Sequence, residues 1–355
     1  MTRTADDLLR TALRDLAGEA GRPHALPTRA LAAGHRRRRI RRTVVSSAAA
    51  ILVAAAAAVP YSLTRSHQPA PAAVAPAPTV VDLGTRPFAE QRAYLLPGGV
   101  PLVGAFRYGS SGDTSALVLP PGGTGYRQVP GFTGSLTVSP TGRYAVVERL
   151  AAERLHLLDV TTGQERTLPY PIASAAVWST DGARLLVTRD TGFSVVDPAT
   201  GAAADHDVDP GRTRCLNRCQ YTWLAGGKQV ALPQAVAQNS EAPRVTGLAI
   251  FDAGTGELLR DVPVTGAPLG RDAWSPDGRL VLTRDTDQVG RVWVVDAASG
   301  HVVRGLAAET AVFRPDGTVL AADRERVTRY TADGTPIETL TLPDVLAGRK
   351  LTFGR

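Results

Sequence analysis

The chain has 355 residues, 43% hydrophobic, 21% charged and 5% aromatic, which excludes a disulfide miniprotein and a wholly disordered chain. Its formal charge of +7 sits in residues 1–42, where eleven Arg face four acidic residues; the remainder carries 29 basic and 29 acidic residues. A nucleic-acid reader shows a basic face on its folded domain, so a neutral domain speaks against a nucleic-acid partner.

In chain order, the first predicted element is an amphipathic helix over 5–17. Ala5, Leu8, Leu9, Ala12, Leu13, Leu16 and Ala17 recur at helical spacing, Thr4 caps the start with Asp7 three residues on, and Gly18 and Gly21-Arg22-Pro23 end it. So short a helix is marginal alone in water, and its apolar stripe invites a cytosolic partner or a membrane surface.

The run Arg36-Arg37-Arg38-Arg39-Ile40-Arg41-Arg42 is followed by 43–63, in which no side chain is charged. At ~1.5 Å rise per residue, about 20 residues cross a ~30 Å hydrocarbon layer, so 43–63 reads as one transmembrane helix. Six Arg on its N-terminal flank against Arg65 on the other hold residues 1–42 in the cytoplasm and place the C-terminal part outside. A cleaved signal is the alternative: Arg41-Arg42-Thr43-Val44-Val45 matches a twin-Arg pattern, with the Ala run before Pro60 as its cleavage site. Residues 64–80, with Pro69, Pro71, Pro76 and Pro78, form a semi-rigid Pro/Ala linker.

Residues 81–355 repeat. A first motif runs through Val138-Ser-Pro-Thr-Gly142, Trp178-Ser-Thr-Asp-Gly182, Trp223-Leu-Ala-Gly-Gly227, Trp274-Ser-Pro-Asp-Gly278 and Phe313-Arg-Pro-Asp-Gly317. A second alternates with it: Leu158-Asp-Val-Thr-Thr-Gly163, Val196-Asp-Pro-Ala-Thr-Gly201, Phe251-Asp-Ala-Gly-Thr-Gly256, Val295-Asp-Ala-Ala-Ser-Gly300 and the looser Tyr330-Thr-Ala-Asp-Gly334. Pro presets φ, Asp caps the backbone and Gly accepts positive φ, so each motif is a hairpin turn between short apolar strands. Two hairpins per ~40–45 residues make a four-stranded propeller blade. Such a blade must stack on its neighbours, where Trp178, Trp223, Trp274 and Phe313 should pack. With 100–130 as a degenerate first blade, the fold is an all-β propeller of six blades, or seven if 81–97 pairs with the C-terminal segment.

Trp274-Ser-Pro-Asp-Gly-Arg279 resembles the repeats of TolB-like propellers, and its alternation with Val295-Asp-Ala-Ala-Ser-Gly300 resembles WD-repeat-like bacterial propellers more broadly, over about residues 135–340. The Gly-His and terminal Trp-Asp signatures of the strict WD family are absent, so its hydrogen-bonded tetrad does not carry over. The resemblance implies a protein-binding platform, and fold does not fix function.

Both motif turns fall on one face of a propeller, so the insertions 203–221 and 233–244 project from the opposite face. Arg189 and Asp190, Arg284 and Asp285, and the insertion arginines Arg212, Arg214, Arg218 and Arg244 form the expected binding face. Cys215 and Cys219 are the only cysteines, and an even count outside the cell favours a disulfide over a free pair or a metal site. Asp205-His206-Asp207-Val208-Asp209 alternates carboxylates as a calcium loop does, but Pro210 and Leu216 stand where that loop needs Gly and Glu. Catalytic serine, phosphate-loop and dinucleotide motifs are absent, so no catalytic, cofactor or metal residue is assigned.

The expectation is a single-pass, N-in cell-membrane protein with a non-catalytic extracytoplasmic propeller that binds a protein or other ligand. Two alternatives stand beside it. One is a transmembrane regulator, anti-sigma-like in plan but without the zinc ligand cluster, whose 1–42 segment docks a cytosolic partner. The other is a propeller hydrolase or lyase working in the central channel.

Overall fold

In a computed structural model, the chain divides into two units, 1–73 and 74–355. The structure describes residues 79–80, 83, 93–107, 115–149, 152–172, 174–212, 220–235, 245–284 and 290–355, all in the second unit. The expected helix 5–17, span 43–63 and most of the Pro/Ala linker lie outside the described residues. Among the described residues no helix is long and apolar enough to cross a membrane.

The second unit is a six-bladed β-propeller of antiparallel blades. From the axis outward, blade three runs Ala176–Trp178, Leu185–Arg189, Gly192–Val196 and Ala203–Asp207. Blade four runs Thr222–Trp223, Gln229–Ala235, Val245–Asp252 and Leu258–Val262. Blade five runs Ala267–Pro268, Leu280–Arg284, Arg291–Asp296 and Val302–Ala307. Blade six runs Thr310–Phe313, Val319–Ala322, Arg326–Tyr330 and Pro336–Thr341.

Blade two, Phe132–Val138, Tyr144–Arg149, Arg154–Asp159 and Gln164–Pro171, has a fifth strand outside it. That strand is Thr79–Val80, the last two residues of the Pro/Ala stretch, pairing with Glu165 and Gln164.

Blade one settles the blade count. Its second to outer strands are Val100–Arg107, Ser115–Val118 and Arg127–Gln128, and its innermost strand comes from the far end of the domain: Lys350–Phe353 pairs with Leu102 to Phe106. Leu95–Leu96 continues the same edge by pairing with Val100 and Pro101. The C-terminal segment thus completes the first blade and makes no seventh.

Each motif turn forms as its chemistry dictates. In the first motif Gly182 at φ 72° donates to the carbonyl of Ser179 at 2.9 Å, while the Ser179 hydroxyl holds Asp181 at 2.6 Å and accepts from the Arg184 amide at 3.0 Å. In the second, the Asp252 carboxylate accepts from the amides of Gly254 and Thr255 at 2.8 and 2.9 Å. The looser copy substitutes Thr331, whose hydroxyl accepts from the Thr335 amide at 3.0 Å.

Ring closure is written in the core. The buried side chains fall into six clusters, each drawn from two neighbouring blades, and one joins Val312, Leu320 and Val327 of blade six to Leu102, Ala105 and Phe353 of blade one. The motif aromatics Trp178, Trp223, Trp274 and Phe313 are all buried between blades, as the repeat predicts. Each innermost strand is paired on one side within its blade, so closure of the ring leaves only short inner edges, gathered at the axis.

Candidate functional site

The repeat supplies its own control, because equivalent positions in different blades can be compared. Trp178 Nε1 donates to the carbonyl of Thr137 in the preceding blade at 2.9 Å, and Trp223 Nε1 donates to that of Val177 at 3.1 Å. Each indole therefore clasps its blade to the one before. Trp274 occupies the same place in blade five, yet its buried Nε1 has no hydrogen-bond partner among the described residues.

The innermost strand of blade five is interrupted just before that Trp. Leu269 donates to the carbonyl of Leu282 at 3.1 Å, and Leu282 donates to that of Ala273 at 2.7 Å, so Gly270-Arg271-Asp272 loops out of the ladder opposite one residue. Gly270 at φ 117° and Asp272 at φ 53° make the loop, and Asp272 is the only residue other than Gly with positive φ among those described. That conformation costs a side-chain-bearing residue roughly 1–2 kcal/mol. The Asp272 carbonyl accepts from the Phe313 amide at 2.8 Å, which pins the bulge to blade six.

The bulge delivers Arg271 to the axis. Its Nε meets Asp272 Oδ2 at 2.8 Å, its Nη2 donates to the Phe353 carbonyl on the closing strand at 2.6 Å, and its Nη1 is buried with no partner among the described residues. Burial pushes the guanidinium's pKa down, Asp272 pulls it back up, and Arg314 and Arg355 oppose the charge further. A buried donor left unmade costs about 1–3 kcal/mol, more when charged, so an empty Nη1 is an expensive feature to keep.

Arg271 lines an axial cavity of about 220 Å³ together with Gln220 and residues of the innermost strands, among them Thr137, Val177, Thr310 and Thr352. Asp272 lines a second cavity of about 210 Å³ toward the motif turns, with Trp274, Arg314 and Arg355. Arg314 Nη1 donates to the Gly354 carbonyl at 2.8 Å. Burial lowers the Arg314 pKa as well, against the raising pull of Asp316 and Asp272. Arg271, Arg314, Arg355 and Asp272 are the charged residues that line the two cavities, and Asp316 also acts on Arg314.

The arginines expected on the opposite face are placed individually. Arg189 reaches across Gly192 to Asp207, which the register sets opposite that glycine, and meets Asp205 at 3.0 Å. Arg212 pairs with Asp261 on the outer strand of blade four at 2.8 Å, and Arg284 donates to the Glu309 carbonyl. Asp190 is exposed in the short turn after Arg189. Arg189, Arg212 and Arg284 thus each meet a different partner. Arg214, Arg218, Arg244, Asp285, Cys215 and Cys219 lie outside the described residues.

The axial residues were missed by motif reading, although a signal was present. The third and second positions before the motif aromatic are Ala175-Ala176 in blade three and Thr310-Ala311 in blade six, but Arg271-Asp272 in blade five. Two charges where the innermost strand should run mark a break in the ladder.

No protein-family model and no curated protein matches the chain. Solved structures similar to it include TolB from Acinetobacter baumannii, at 16% identity and a TM-score of 0.47, covering 71% of this chain and 67% of that one. The Cps50 (Swd1) β-propeller domain of Myceliophteria thermophila matches at 15% identity and a TM-score of 0.42, covering 67% and 86%. Hydrazine synthase of Kuenenia stuttgartiensis matches at 18% and 0.37, and the match spans 59% of this chain and 65% of that one. At such identities none of these proteins lends this chain a site or an activity.

Proposed function

We propose that this chain is a single-pass, N-in membrane protein whose propeller stands outside the cytoplasm as a binding platform and receives its ligand at the axis. The observation that carries the reading is the blade-five bulge, which breaks the innermost strand and brings the largely buried Arg271 side chain to the wall of a cavity at the meeting point of the innermost strands. Local violations of the repeat's own rules gather at functional sites. The platform is non-catalytic: among the described residues the side chains lining that cavity offer hydroxyls, one amide and one guanidinium, but no carboxylate, imidazole or thiol. The uncharged run 43–63 behind its arginine cluster supports the anchor and the orientation.

Two measurements test this. Protease treatment of intact cells should remove the propeller while sparing residues 1–42, and the mass of the N-terminus should be that of the uncleaved chain. A photoreactive residue placed at Thr310 in the axial cavity should yield a defined adduct in cells, while the same residue at the exposed Thr339 on the outer strand of blade six should not. Equal adducts from both positions would contradict an axial site.

A further inference from the structure

We propose that the outer edge of blade three receives an extended segment of a partner polypeptide as a fifth strand, one with basic residues at alternate positions. The site lies apart from the axial cavity. Its precedent is within the molecule: Thr79 pairs with Glu165 on the outer strand of blade two, two residues past the turn glycine Gly163. Ala203, two residues past Gly201, holds the same position in blade three, where Ala203–Asp207 ends the sheet with no strand outside it among the described residues.

The remaining edges are blunted. In blades four, five and six the ladder shifts register at that same point, between Ile250 and Phe251, Val294 and Val295, and Arg329 and Tyr330, and blade six starts its outer strand with Pro336. Bulges and proline are devices that keep an open edge from pairing. The outer strand of blade one has only Arg127 and Gln128. Blade three keeps an unbroken register from Ala203 to Asp207. Asp197 donates to the Ala202 carbonyl and Val208 to that of Thr191, so the even residues bond inward. The N–H and C=O groups of Ala203, Asp205 and Asp207 therefore point outward.

Charge defines the partner. Asp205 and Asp207 lie on one side of the strand, 59% and 73% exposed, and share Arg189 between them. Asp190 and Asp209, both exposed, add to the same end. At the other end Arg166 lies against Gly201 beside Asp197, and His206 turns to the opposite side, against Phe193. Pairing this edge with a second copy of itself brings like charges together, which counts against a second copy. Lys or Arg two residues apart on an incoming strand instead meets Asp205 and Asp207.

The test is fluorescence anisotropy of a labelled, blocked Val-Lys-Val-Lys-Val-Thr peptide with the full-length chain at constant ionic strength. Binding should be saturable. A Val-Glu-Val-Glu-Val-Thr peptide, and the lysine peptide methylated at every backbone nitrogen, should each bind about tenfold more weakly. A203P removes an outward N–H at the first residue of an edge strand, where proline is tolerated. D207N removes one charge and keeps an oxygen for Arg189. Each should weaken binding of the lysine peptide about fivefold, and the methylated peptide decides alone if a variant fails to fold. On binding, hydrogen exchange should slow at the amides of Ala203, Asp205 and Asp207.

Absence of saturable binding, equal binding of the glutamate or methylated peptide, undiminished binding by folded A203P or D207N, or slowed exchange confined to other blades would each overturn the proposal. The Thr310 adduct tests the axial site separately, so the two readings can fail independently.

Discussion

Arg271 of blade five donates to the carbonyl oxygen of Phe353, 2.6 Å away on the strand that completes blade one. One side chain therefore serves both the axial site and the seam of the ring. The bulge that carries it departs from the repeat, and the departure is fixed on three sides: by Asp272, by Phe353 and by the bond from Phe313 to the Asp272 carbonyl.

Asp272 is the test of that arrangement. D272A removes the partner of a buried guanidinium and places Ala at φ 53°, and should cost about 3–5 kcal/mol in denaturant unfolding. D272N keeps an oxygen acceptor and a residue tolerant of the left-handed region, so it should cost clearly less. A neutral D272A would mean that the ion pair is not formed.

The indole clasps predict unequal effects from one chemical change. W178F and W223F each remove a bond to a carbonyl of the preceding blade, whereas W274F removes an N–H that has no partner among the described residues. All three lose similar volume, so W274F should be less destabilising by about 1 kcal/mol. Urea midpoints of the three variants decide it.

Turn glycines differ in what surrounds them. At Gly278 a methyl group meets open space, so G278A should cost only the strain of its positive φ, roughly 1–2 kcal/mol. At Gly300 a Cβ would lie 2.1 Å from the Pro263 carbonyl oxygen, and the backbone itself must move. G300A should therefore lower the melting temperature well beyond G278A.

Acid should weaken the propeller through its second-motif turns. Hydrogen bonds from backbone amides hold the Asp197 and Asp252 carboxyls below their ordinary pKa of 3.8, and the Ser299 hydroxyl and amide do the same for Asp296. A depressed folded-state pKa means the stabilisation is complete above 3.8 and is lost as pH falls through the lower folded values. Stability should be flat near neutrality and decline below about pH 4, and the D252N/D296N double variant should show a shallower decline over that range.

Much of the fold was legible because its units are local. A Ser-x-Asp-Gly turn such as 179–182 closes within a few residues, and Trp178 follows from the strand it ends. The recurring glycines Gly142, Gly182, Gly226, Gly278 and Gly317 place the hairpins, and the faces follow from the alternation of the two motifs. The closing strand was harder to see: Lys350-Leu-Thr-Phe353 is four residues with no motif of its own, paired across the whole domain with Val100–Arg107. The fate of Arg189 depended on register, since only the alignment of Arg189, Gly192 and Asp207 shows the charge being met within its own blade. Arg271 was overlooked because its role comes from an interruption of the pattern, and a reading tuned to repeats passes over the place where one fails.

Everything at the axis depends on a ring sealed by Lys350–Phe353, and native-state hydrogen exchange of the full-length chain measures that seal. The slowest amides of this strand should open with the same free energy as those of Leu185–Arg189 in blade three, because breaking the seam and unfolding the ring are one event. Opening of 350–353 at a markedly lower free energy, with blade three still protected, would contradict the closure and with it the site that Arg271 and Phe353 share.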